Sequence, residues 1–151
     1  MKSIKHWTPR YIFNRVNYII YEKTHPGYPW LTPTANSILD SLLKKSGLGL
    51  EFGSGKSTIW FAQRISSLKS IEDNEFWYKK VKQMLDKNKI LNVDYIFVHK
   101  DENNTLSALS KYLEIINSFS DCSLDFVSVD SEDYRAACAN KVIEKIKPGG
   151  F

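Results

Sequence analysis

With 151 residues, 42% hydrophobic and 25% charged, the chain can build one domain with a real core but not two ordinary ones. No apolar run reaches membrane-spanning length, the start MKSIKHWTPRY has no apolar signal core, and Cys122 and Cys138 form neither a metal-ligand spacing nor a disulfide framework. We therefore expect no membrane insertion, no export and a cytoplasmic setting, with Cys138 a buried thiol among Ala136, Ala137 and Val142. The net charge of +4 belongs entirely to residues 1–30, where Lys2, Lys5, Arg10, Arg15 and Lys23 face Glu22 alone.

Thr8-Pro9 reads as an N-cap followed by proline at the first helical position. Ile12, Val16, Ile19 and Ile20 then line one face of a helix reaching about Lys23. His25-Pro26-Gly27-Tyr28-Pro29 breaks it and makes a linker. Thr32-Pro33 starts a second helix carrying Ile38, Leu39, Leu42 and Leu43, with Gly47 placed to end it.

From Gly47 onward strands and helices alternate. Strands are expected at Leu48 to Phe52, Leu68 to Glu72, Val93 to Val98 and Leu124 to Val129. Between them fall a helix with Ile59, Trp60, Phe61, Ala62 and Ile65, one from about Asn74 burying Trp77, Val81, Met84 and Leu85, and one near 104–118 with Leu106, Leu109, Leu113 and Ile116. A last helix carries Ala136, Val142, Ile143 and Ile146. This alternation implies a parallel sheet with right-handed crossovers: an α/β, Rossmann-like domain over residues 31–151, preceded by a helical arm over 1–30.

The arm holds Trp7, Tyr11, Phe13, Tyr18, Tyr21, Tyr28 and Trp30 beside its basic residues. Rings and positive charge together can bind nucleic acid, but five charges make a weak electrostatic footprint. We expect instead that residues 7–30 fold back over the cleft or a subunit interface.

In an open α/β sheet a ligand sits at the carboxyl ends of the strands, where strand order reverses. Here those ends carry Glu51–Ser57, Glu72-Asp73, Asp101-Glu102 and Asp130-Ser131. Glycines at 53 and 55 let backbone pass close to a ligand, and a carboxylate at Glu72 can accept from both hydroxyls of a ribose. Two rival nucleotide sites are poorer matches. A P-loop needs a glycine five residues before Gly55-Lys56-Ser57, where Leu50 stands; a dinucleotide fingerprint needs glycine at Thr58. His6, His25 and His99 are isolated, so no metal is expected.

Glu51-Phe52-Gly53-Ser54-Gly55-Lys56-Ser57 resembles the E/D-x-G-x-G-x-G motif of class I S-adenosylmethionine-dependent methyltransferases. Glu72 is similar to their ribose-binding acid, Leu124 to Asp130 to their fourth strand, and Ile146-Lys147-Pro148-Gly149-Gly150 to the turn before their fifth. Ser57 in place of the third glycine and Ser131 after Asp130 depart from the pattern. The resemblance implies S-adenosylmethionine as cofactor and a small-molecule methyl acceptor. It also implies sheet order 3-2-1-4 with later strands missing. Cofactor contacts fall to Glu51, Gly53, Ser54, Gly55, Ser57, Glu72, Asp73, Asp101 and Asp130, with Asp130 also the candidate catalytic residue. Phe151 lies where a fifth strand should begin, so a fragment or truncation is expected. Its fourth strand would then present an uncovered apolar edge, and homo-oligomers through that edge or the arm are anticipated.

Overall fold

The computed structural model describes residues 8–100 and 105–151. Two helices come first, α1 (Pro9–Thr24) and α2 (Pro33–Leu42). Then β1 (Leu48–Phe52), α3 (Lys56–Ala62), β2 (Ser67–Glu72), α4 (Glu75–Lys87), β3 (Val93–Phe97), α5 (Thr105–Asn117), β4 (Phe126–Val129) and α6 (Arg135–Val142) alternate, and a 3-10 turn over Ile143–Lys145 extends α6. The strands are parallel in the order β3-β2-β1-β4, as the sequence predicts. One core layer joins Leu50, Phe52 and Ile71 of the sheet to Ala108, Tyr112, Ile115 and Ile116 of α5 and Cys138 and Val142 of α6. The other face takes Trp60 and Phe61 of α3 against Leu68 and Phe126, and Val81 and Leu85 of α4 against Val93. Helices cover both faces of the sheet, and β1 at its middle is buried along nearly its whole length.

The helix starts follow their caps. Thr8 Oγ1 accepts from Tyr11 N–H at 3.2 Å, Thr32 Oγ1 from Ala35 N–H at 3.2 Å, and Asn74 Oδ1 from Trp77 N–H at 3.1 Å. Several expected faces are corrected. In α5 the buried positions are Ala108, Tyr112, Ile115 and Ile116, whereas Leu106 is 69% exposed. Tyr112 stacks on Phe52, ring centroids 5.7 Å apart, and this contact rotates the helix away from the Leu106 stripe. In α4 only Val81 and Leu85 are buried; Trp77 and Met84 turn toward the cleft. In the last helix the core residues are Cys138 and Val142, while Ile143 is exposed because the helix tightens to 3-10 there. In α2, Ile38 and Leu42 are exposed, and the helix stops at Leu42, ahead of Gly47, once Leu43 turns extended.

The fourth strand also differs at its start. Leu124 makes only an isolated bridge, to Ile146, because the Asp125 carboxylate takes the Leu48 N–H at 2.8 Å. The expected bare edge is partly covered: Phe151 accepts from Val127 N–H at 2.8 Å, and its ring stacks on Phe126 at 5.9 Å. Cys138 is fully buried, and burial pushes its thiol up to about 11, as suits an inert core cysteine.

The arm divides in two. Helix α1 buries no residue on this chain, and Ile12, Phe13, Val16 and Ile20 are all exposed. The linker after it does fold back, with Tyr28 against Trp60 at 5.8 Å and Trp30 against Trp77 at 6.0 Å. Trp7, Asp101 and Glu102 lie outside the described residues. Among the described residues no helix is long and apolar enough to cross a membrane, and no cluster of potential metal ligands is present.

Candidate functional site

Strand order reverses between β1 and β4, the position where ligand clefts open in sheets of this kind. The residues just past those strands, Gly53 and Asp130, lie side by side. Gly53 N–H donates to the Ile71 carbonyl at 2.9 Å and Asp130 N–H to the Phe52 carbonyl at 2.7 Å. Gly53 has φ of 86°, and a Cβ there would sit 2.5 Å from the Asp130 carbonyl oxygen. No other residue fits without moving the turn. Gly55 is bare for a different reason: its backbone is extended, and the nearest atom to a Cβ would be Ser57 Oγ at 3.9 Å. Its missing side chain leaves room on the cleft side.

Glu51 is completely buried beneath this turn. Its Oε1 accepts from Ser57 Oγ at 2.5 Å, and its Oε2 from Thr58 Oγ1 at 2.7 Å and Ser70 Oγ at 2.6 Å. The parallel register sets Ser70 directly beside it. Burial pushes the carboxyl up to about 7, against the pull of the three hydroxyls. Glu51 and Ser57 thus orient the loop, as the resemblance implies for Glu51, and neither turns a free polar group outward.

Glu72, at the end of β2, is 5% exposed and accepts four hydrogen bonds. Its Oε1 takes Asp73 N–H at 3.0 Å and Asn74 N–H at 2.9 Å; its Oε2 takes Ser54 N–H at 2.8 Å and Ser54 Oγ at 2.6 Å. Three of these donors are fixed backbone amides. The fourth is a hydroxyl that also lies 2.7 Å from Tyr95 OH, so it can turn away and free Oε2 for a ligand hydroxyl. Burial drives the Tyr95 phenol upward from its ordinary value.

Asp73 borders the cleft, but its carboxylate is 4% exposed and faces Lys100 Nζ at 3.0 Å, not the cavity. Lys100 also reaches Asp133 at 2.8 Å and so ties the end of β3 to the loop after β4. Asp130 is the opposite case, with a side chain 80% exposed and paired to Arg135 at 2.8 Å.

A cavity of about 750 Å³ joins these parts, within the size range of small-molecule sites. The turn Gly53–Ser57, Glu72 and Asp130 line it, together with Trp30 from the linker and Trp77, Lys80 and Met84 from one stripe of α4. Sequence reading brought Glu51, Gly53, Ser54, Gly55, Ser57, Glu72 and Asp130 to one place, while Asp101 lies outside the described residues. It did not find Thr58, Ser70, Tyr95 or Arg135. Ser70 was findable, since a hydroxyl directly across a parallel register from a buried acid is its natural donor, whereas Thr58 reaches Glu51 from the first turn of α3. Tyr95 was not, because its role depends on how far its phenol reaches along the edge strand.

No family model matches the chain, and no curated protein matches it. Solved structures do. A precorrin-8w decarboxylase from Methanobacterium thermoautotrophicum superposes with a TM-score of 0.59 at 19% identity, covering 83% of this chain and 63% of that one. An rRNA methylase from Streptococcus thermophilus gives 0.60 at 12%, covering 82% and 70%. The TYW2 protein of M. jannaschii, solved in complex with AdoMet, gives 0.52 at 16%, covering 79% and 51%. At such identities the likeness establishes the fold: this chain has the Rossmann-like fold of the class I methyltransferases. It spans between 51% and 70% of the length of these structures.

Proposed function

We propose that the chain binds S-adenosylmethionine and serves methyl transfer to a small-molecule acceptor. The observation that carries this reading is the meeting of the glycine turn, Glu72 and Asp130 on one cavity at the strand-order reversal. The residues present fit the cofactor. Gly53 and Gly55 leave backbone bare beside the cleft, which suits the methionine part. Glu72 is held by three amides with Oε2 turned to the Ser54 hydroxyl, which has Tyr95 OH as a second partner, and this suits one ribose hydroxyl. Asp130 is exposed at the mouth and would hold the amino group or the acceptor once Arg135 swings aside. Asp73 is better assigned to bracing Lys100 than to touching adenine.

When bound, the sulfonium supplies an already activated methyl group, so the protein's work is alignment and exclusion of water. Glu51 performs alignment at one remove by fixing Ser57, Thr58 and the turn between. Nothing in this role needs Lys56 to reach a phosphate; its ammonium rests 5.9 Å from the Trp30 ring. The size of the cavity and its place at the sheet end suit a small-molecule acceptor.

Calorimetric titration with S-adenosylhomocysteine and with ATP tests this. We expect binding of the first and none comparable of the second. Replacing Glu72 by Ala should weaken S-adenosylhomocysteine by about 2 kcal/mol, the scale of a charge-assisted contact. Tight ATP binding with no affinity for the sulfur cofactor would replace this reading with a nucleotide-binding one.

A further inference from the structure

The wall of the cavity that carries Trp30 and Trp77 has a chemistry that the proposed cofactor contacts leave unused. Trp30 and Trp77 meet at a right angle, ring planes 84° apart and centroids 6.0 Å apart. Trp30 is 65% exposed, although it is held at this place by the buried Pro29 beside it and by Asn36, whose Nδ2 reaches the carbonyls of Pro29 at 3.5 Å and Leu31 at 3.4 Å. Two lysines flank the corner. Lys56 Nζ lies 5.9 Å from the Trp30 centroid, and Lys80 Nζ lies 4.3 Å from that of Trp77. Among the described residues neither ammonium has a carboxylate partner; each rests on a ring instead. Of the acids that line the cavity, Asp73 pairs with Lys100, Asp130 with Arg135 and Glu72 with its four donors, while Glu132 belongs to the loop after β4.

We propose that this corner receives the acceptor, and that the acceptor is a planar anion: an aromatic ring carrying a carboxylate or phosphate. The inference rests on the methyl-transfer reading, and it names the substrate class for it. A right-angled ring pair lets a flat molecule stack on one indole with its edge against the other, the two preferred aromatic geometries at once. Exposed indoles also attract cations, but two uncompensated ammoniums at the same corner repel them. The same two charges attract an anion, and Trp77, Lys80 and Met84 share a wall with the turn and Glu72, so acceptor and cofactor would occupy one continuous cavity.

The test uses three probes of similar size: 4-hydroxybenzoate as a planar anion, 4-hydroxybenzamide as its neutral isostere, and cyclohexanecarboxylate as an anion without a π face. Each is titrated into the chain with and without saturating S-adenosylhomocysteine, by indole fluorescence and ligand-observed NMR. We expect the benzoate to bind at least about fivefold more tightly than either control. Lys56→Ala with Lys80→Ala should erase its advantage over the benzamide, and Trp77→Leu should weaken both planar probes. Thermal melting of each variant checks that it folds, and its S-adenosylhomocysteine affinity should be unchanged. Equal binding of benzoate and benzamide, an advantage that survives removal of both lysines, or no binding of any probe would overturn the proposal. A chain that ignores S-adenosylhomocysteine but still selects the benzoate would sink the cofactor reading and leave the planar-anion corner standing.

Discussion

The turn after β1 is polar and glycine-rich and helix α1 carries a full apolar stripe, yet it is the polar turn that the chain encloses. Around the turn the buried carboxylates are fully partnered: Glu51 accepts three hydroxyls and Glu72 four donors, while Gly53 is pinned against Asp130. Helix α1 has a good N-cap and a full apolar stripe but buries nothing. Local signals make a helix; only partners from elsewhere in the chain make it part of a core. Substitutions should therefore matter in proportion to these partners and not to the apolar character of the residue changed.

The sharpest contrast lies within the turn itself. Gly53→Ala forces a Cβ against the Asp130 backbone at positive φ and should cost about 3 kcal/mol or more in urea unfolding. Gly55→Ala meets nothing nearer than 3.9 Å and should leave stability within about 1 kcal/mol, while weakening S-adenosylhomocysteine binding. Equal losses in the two variants would break the distinction between a turn that needs its glycine and a cleft that uses one.

Glu51 gives the next largest effect, read through pH. Its unfolded carboxyl ionises near the ordinary value of 4.5, whereas the folded group keeps its proton up to about 7. Over that interval the unfolded state loses the proton first, so raising the pH lowers stability, by up to roughly 3 kcal/mol, and the loss is complete above pH 7. Glu51→Gln should flatten this part of the curve of unfolding free energy against pH. An unchanged slope in that variant would show that the buried acid is not its source.

The smallest effect belongs to α1. Phe13→Ser, at a side chain 67% exposed, should move the melting free energy of dilute monomer by less than about 0.5 kcal/mol, whereas Leu50→Ala in the core should cost about 2–5 kcal/mol. A large loss at Phe13 that grows with protein concentration would mean that α1 is covered by a second copy.

The same contrast marks what could be read from the sequence. Strand order, the glycine turn and the gathering of Glu51, Glu72 and Asp130 were legible because parallel alternation leaves few topologies and puts strand ends together. Side-chain direction was not. Periodicity gave Leu106 to the core and missed Tyr112, because the Phe52 ring, from a strand more than fifty positions away, decides which face of α5 turns inward. Asp73 and Glu72 are neighbours in sequence, yet adjacent residues at a strand end point to opposite faces, so one serves the cleft and the other Lys100. Trp77 looked like a core residue because a tryptophan at helical spacing usually is; its place at the start of α4, beside the end of β2, puts it on the cleft.

The central claim, that the turn and not the arm is the cofactor site, is tested most directly by titrating isotope-labelled chain with S-adenosylhomocysteine and following backbone amide shifts. The account predicts the largest changes at Gly53, Ser54, Gly55, Asp73, Asn74 and Asp130, with Ser54 moving most because its hydroxyl must leave Glu72. It predicts none along α1. Saturable shifts confined to α1, or none at the turn at concentrations where binding is measured, would contradict it.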